Sequence, residues 1–260
     1  MDTATAPDVD AQPQSGDTRF FLVMAAIMSL IILAGFSFSL ATGRSSFDVP
    51  WFYHLHGVIF MAWVTLYMSQ HFTAARGNFA LHRQIGKAAY IFIPVMVAAG
   101  LMVIVGVAQR NGGPFFFNAS EFLISNSALL LCFAVLALWA LRVERHSGWH
   151  RRLMLCGMAI LVGPGLGRLL PMPLFIPYAW LIVTSLTWVF PAIGMIADKR
   201  SRGRIHPAYV WGLGAYIGVF IVSMAIAYSP IGFAFTEWLI AGTPGAERPI
   251  EAFLPPGLSL

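Results

Sequence analysis

Residues 51–87 read WFYHLHGVIFMAWVTLYMSQHFTAARGNFALHRQIGK. The apolar part of this stretch, 52–73, is long enough to cross a bilayer as a helix, which takes about 20 residues. Histidines bound it. His54 and His56 stand at one end, His71 near the other, and His82 follows a turn that carries Arg76. Ionisable side chains are costly beside hydrocarbon and are functional by default when they occur there. The stretch therefore predicts a membrane helix with chemistry at its ends.

The same pattern recurs on both sides. Apolar runs at 20–41, 88–108, 122–141, 153–170, 178–197 and 208–228 join 52–73 to make seven. The expected fold is all-α: a polytopic membrane protein built as a seven-transmembrane-helix bundle. Composition agrees, with 58% hydrophobic and 10% charged residues in 260 positions, where a soluble domain carries about a quarter charged. Gly163, Pro164, Gly165 and Gly167 are expected to loosen the second half of the fifth span. Residues 1–18, acidic and rich in Pro, Gln, Ser and Thr, read as a disordered tail rather than a cleaved signal, which would begin with a basic region. Residues 19–230 form the transmembrane domain. In 231–260, the run 232–240 is too short to cross again and reads as a surface-lying segment.

Charge placement predicts orientation. Arg19, Arg76, Arg83, Lys87, Arg142, Arg145, Arg151, Arg152, Lys199, Arg200, Arg202 and Arg204 fall on one side, against Arg44, Arg110, Arg168 and Arg248 on the other. By the positive-inside rule the amino terminus is cytoplasmic and the carboxy terminus outside. The net charge of +5 is thus a topology signal. No basic face interleaved with exposed aromatics suggests nucleic-acid binding. Cys132 and Cys156 lie inside apolar runs without CxxC spacing and read as small core residues.

This topology brings His71, His82, His150 and His206 to four helix ends on the cytoplasmic side, with Asp198 and several arginines nearby. Neutral imidazole is the commonest metal ligand and a haem axial ligand. Taken singly, each of these histidines is as well explained by a helix cap or a lipid contact. On the other side stand His54, His56 and Arg168. His56 and His71 are 15 positions apart, near one helix face and separated by roughly 22 Å. One helix can supply ligands to two stacked haems in this way, although no second outer histidine completes an outer pair. Arg168 reads either as a snorkelling side chain or as a clamp for an anion or a propionate. The two lysines, Lys87 and Lys199, lie at span ends, which excludes a mid-helix Schiff base. No Asp or Glu falls inside the seven runs, and HExxH, phosphate-loop and GxSxG motifs are absent.

His82-Arg-Gln-Ile-Gly86, His150-Arg-Arg-Leu-Met154 with Arg168-Leu-Leu-Pro171, and Arg202-Gly-Arg-Ile-His206-Pro207, together with His56 and Gln70-His71, resemble a family of uncharacterised bacterial multi-pass membrane proteins. The likeness covers about residues 50–215. More distantly, His-Arg-x-x-Gly at a helix start is similar to the transmembrane b-type cytochromes that pass electrons from ascorbate or quinol, whose histidines ligate two haems. The resemblance implies a multi-pass protein of the bacterial inner (cytoplasmic) membrane. The expected function is a b-type haem or metal-binding oxidoreductase of electron transport, fed by a lipid-soluble quinol. Its candidate cofactor contacts are His56, His71, His82, Arg83, His150, Arg151 and Arg168. The alternatives are an intramembrane zinc-dependent hydrolase, or a site for iron, with metal held among His71, His82, His150, His206 and Asp198. A non-enzymatic accessory subunit that grips lipids or a membrane protein partner is the third expectation.

Overall fold

The computed structural model describes residues 15–255. Among them the chain is all-α. The helices are α1 (Ser15–Ala41), α2 (Trp51–Ala75), α3 (Phe79–Gly86), α4 (Ala89–Asn111), α5 (Asn126–Arg142), α6 (Ser147–Leu169), α7 (Ala179–Thr187), α8 (Val189–Arg202), α9 (Pro207–Ala227) and α10 (Pro230–Ile240). A π turn, Glu121–Ser125, leads into α5. Between α7 and α8 the break is a single residue, Trp188. Pro191 accounts for it: the ring has no N–H and crowds the carbonyl four residues back, that of Thr187.

Among the described residues, six helical segments are long and apolar enough to cross a membrane: Asp17–Ala41, Ala89–Asn111, Glu121–Arg142, Ser147–Leu169, Ala179–Arg202 and Pro207–Ala227. This is the architecture of a multi-pass membrane protein. The seventh predicted run is α2. Its 25 residues span roughly 37 Å at 1.5 Å per residue, but its histidines, Gln70, Ser69 and amphipathic aromatics lower its mean hydropathy below that of the others. Two boundaries also move. Helix α1 begins at Ser15, inside the segment read as a tail, and residues 1–14 of that segment lie outside the described residues. The span read as 178–197 continues to Arg202, which brings Asp198 into a helix.

Helix α6 is the hub, packed against α1, α5, α7, α8 and α9. Its second half is not loosened by Gly163, Pro164, Gly165 and Gly167; the helix is continuous to Leu169. The glycines serve close approach instead. Gly35 of α1 lies on the backbone of Gly165, and Gly165 lies on the backbone of Ile32, so a Cβ at either position would overlap the facing main chain. Small residues at such crossings let helices associate by van der Waals contact where no hydrophobic drive separates protein from lipid.

A leucine at Gly35 therefore wedges α1 from α6 and is expected to lower the unfolding temperature in detergent. Overpacking of this kind costs about 1–3 kcal/mol. Gly214→Leu is the control: the site is exposed, and nothing lies within 4 Å of where a Cβ would stand. It should leave the melting curve in place.

Candidate functional site

The end of the bundle that carries most of the arginines gathers three imidazoles. Asn78 caps α3 by accepting from the Leu81 N–H at 3.1 Å, and the short helix packs back on α2. That fold-back carries His82 to the last turns of α2, where its Nδ1 lies 3.0 Å from the Gln70 carbonyl. His71 Nδ1 donates to the Tyr67 carbonyl at 2.9 Å, and His150 Nδ1 to the Ala140 carbonyl at 2.9 Å. A carbonyl only accepts, so in His71 and His150 Nδ1 holds the proton and Nε2 keeps a lone pair. In the amide orientation that satisfies both of its ends, Gln70 donates to His82 Nδ1 and to the His82 carbonyl, each at 3.0 Å, and accepts from the Gly86 N–H at 3.2 Å.

The His82 and His150 rings have centroids 6.3 Å apart at 79°. His71 is an electrostatic neighbour of both and lies tilted at 53° against Tyr67, centroids 4.4 Å apart. Helices α2, α3 and α6 thus bring three half-buried imidazoles from distant parts of the chain to one place. Among the described residues, no three His, Cys, Asp or Glu side chains already stand in positions to hold a metal ion together.

His206 and Asp198 do something else. Asp198 is 5% exposed and receives Arg152 in a two-pronged ion pair, Nε to Oδ2 at 2.7 Å and Nη2 to Oδ1 at 2.5 Å. Its Oδ2 also accepts from the His206 backbone N–H at 3.3 Å. Arg152 is fully buried, and its Nη1 donates to the Gly148 carbonyl. His206 caps α9, with Nδ1 accepting from the Ala208 N–H at 3.1 Å, and rests edge-on against Trp149. Beside this pair, Asp17 on α1 accepts from Arg151 at 2.9 Å and from Arg202. Arg83 is exposed.

Sequence reasoning singled out Asp198 as a base or ligand and missed that Arg152 claims it. The signal lay in the paired Arg151-Arg152, since two adjacent arginines entering an apolar run need counter-charges and acidic residues are few. It also missed Glu121. This carboxylate is 2% exposed in the π turn at the start of a candidate span, where it accepts from the Asn118 N–H at 3.0 Å and the Tyr228 hydroxyl at 3.0 Å.

The opposite end holds the remaining candidates. His56 stacks on Phe60 at 4.1 Å and is an electrostatic neighbour of Arg168. His54 is exposed and stacks on Phe47 instead. No second imidazole joins His56, so a pair of ligands is not assembled here among the described residues. Because His56 lies near Arg168 and His71 near His150, α2 covers the same length of the bundle as α6, packed between α1 and α4. On the outer face of the bundle, a shallow apolar cavity of about 630 Å³ is lined by Tyr90, Ile93, Pro94, Val97 and Leu101 of α4 with Ala134 and Leu138 of α5. Leu138 is two residues from Ala140, whose carbonyl holds His150.

Compared with known protein families, with curated proteins and with solved structures, the chain matches none.

Removing Asp198 strands a buried guanidinium. Breaking one partner of a buried pair costs about 3–5 kcal/mol, whereas replacing both by apolar residues of similar volume is often neutral. Asp198→Ala is therefore expected to aggregate or melt early in detergent, and the double variant Arg152→Met with Asp198→Leu to recover most of the melting temperature.

Proposed function

We propose that the protein is a seven-span membrane electron-transfer protein in which His82 and His150 bind one iron, carried as haem b, as its two axial ligands. The single observation behind this reading is their spacing. Two imidazoles on opposite sides of one ion, with metal–nitrogen bonds of about 2.0–2.1 Å, place their ring centres about 6 Å apart. The observed 6.3 Å suits that arrangement. The His150 Nδ1–H to carbonyl bond supports it further, because such a bond fixes ring orientation and raises the basicity of the ligating nitrogen. When bound, such a centre would accept one electron and pass it on.

The chain's own residues supply orientation and surroundings. Gln70 and Gly86 hold α3 against α2, so His82 keeps its direction. Ala140 does the same for His150 from α5. His71 stands near both rings as an electrostatic neighbour. The apolar cavity along α4 and α5 offers a lipid-soluble quinol, the electron donor in this reading, a slot for its tail near Ala140 and His150. Helix α2 is the seventh span in this reading, since its two ends lie near the two ends of α6. The arginine-rich end faces the cytoplasm by the positive-inside rule, and the compartment is a bacterial inner membrane. A zinc hydrolase built on the same rings is the lesser reading, because its candidate base, Asp198, is already bound by Arg152.

Iron or haem content per purified chain tests the assignment. His82→Ala and His150→Ala are each expected to reduce it at least tenfold while the protein stays monodisperse. His206→Ala, a helix cap, should leave it near wild type. Equal retention in the His82 and His150 variants overturns the proposal.

A further inference from the structure

At the end of the bundle opposite the imidazole trio, two guanidiniums meet without a counter-charge. Arg44 and Arg168 are electrostatic neighbours, and Arg44 Nη2 donates to the Arg168 carbonyl at 2.8 Å. Arg168 Nη1 donates to the Pro164 carbonyl at 2.9 Å, and its guanidinium lies 4.0 Å from the centroid of Phe36. His56, on α2, is an electrostatic neighbour of Arg168, and its ring bonds the Ala99 carbonyl. The other contacts of Arg44 are Thr42 Oγ1 and the Phe38 ring. None of these is a carboxylate. Asp48, in the loop that joins α1 to α2, is exposed, and among the described residues it forms no ion pair with either arginine.

One guanidinium nitrogen in this cluster, Arg168 Nε, is buried and unpartnered. A buried polar group without a partner costs about 1–3 kcal/mol. An arginine that merely snorkels from a helix end turns its guanidinium to water, yet Arg168 keeps Nε inside. The amino end of α2 lies at the same end of the bundle, with Pro50 at its cap and no side-chain cap bond. Its first turn adds the positive end of a helix dipole. Two guanidiniums and an uncapped helix start therefore favour negative charge at this end.

We propose that Arg44 and Arg168 form a binding site for a phosphate-type oxyanion. Arg168 Nε provides the buried contact, and exposed Arg44 provides the outer one. The chemistry is that of a phosphate monoester, whether on a lipid headgroup or as free phosphate. The site is separate from the proposed iron site and does not depend on it.

Thermal unfolding of the full chain in a neutral detergent tests this, with inorganic phosphate, short-chain phosphatidic acid and short-chain phosphatidylcholine added in turn. Ligands that bind only the folded state raise Tm in proportion to the logarithm of their concentration. Phosphatidic acid is expected to raise Tm by about 3 °C or more at saturation, given about 2–4 °C per kcal/mol for a chain of this size. Phosphatidylcholine should not. A rise with inorganic phosphate as well identifies the free anion as sufficient, and a rise with phosphatidic acid alone identifies the lipid. Both support the site provided Arg168→Gln and Arg44→Gln each remove the rise. Arg44 is exposed, so its variant folds even if Arg168→Gln does not. An equal rise in wild type and in Arg44→Gln, or no rise with either anion, overturns the proposal.

Discussion

The buried ion pair between Arg152 and Asp198 is the constraint on which the arginine-rich end of this bundle depends. Charges taken from water into a low-dielectric interior are tolerated only when each is satisfied by the other and by further hydrogen bonds. Here both oxygens of Asp198 meet the guanidinium, the remaining Nη1 finds the Gly148 carbonyl, and the His206 N–H completes the carboxylate. The pair ties α6 to α8 and to the start of α9. The neighbouring Asp17 draws α1 to the same point through Arg151 and Arg202. His150 precedes this network by one residue, so the pairing that seats Arg151 and Arg152 also sets where the His150 ring emerges.

Helix positions were legible because apolar runs of membrane length say the same thing whichever neighbours they meet. Every predicted run is largely helical, and the differences sit at the ends. There, Asp17 and Asp198 could be helical because arginines on other helices neutralise them. A single chain does not display such partners. The glycine-rich second half of α6 misled for a related reason. Gly165 weakens an isolated helix, but against Gly35 it lets two backbones touch, a contact invisible until α1 and α6 are known to be adjacent. Polar residue types were legible and their pairings were not. The sequence placed His71, His82, His150 and His206 on one side as equivalent candidates. The fold separates them by what the rings bond to. Three set Nδ1 against backbone carbonyls, whereas the fourth uses Nδ1 as an acceptor to cap a helix.

The two ends differ in how their charges are balanced. At the arginine-rich end, Asp17 and Asp198 face Arg151, Arg152 and Arg202, and the imidazoles of His71, His82 and His150 stand apart from those ion pairs. At the other end, Arg44 and Arg168 have no acidic partner among the described residues, and Glu121 is satisfied by Asn118 and Tyr228. The carboxy-terminal segment closes over that end. Arg248 reaches the carbonyls of Gly113 and Phe117, and burial lowers its pKa below the usual guanidinium range. The two ends thus present different chemistry: imidazoles set against backbone carbonyls at one, and arginines without acidic partners at the other.

The central claim is that His82 and His150 share one iron, and the most direct measurement is the visible spectrum of the detergent-purified protein, oxidised and then reduced with dithionite. The account predicts a Soret band and a sharp reduced α band, the pattern of a haem with imidazole on both faces. A colourless protein with no stoichiometric iron in either state would contradict it.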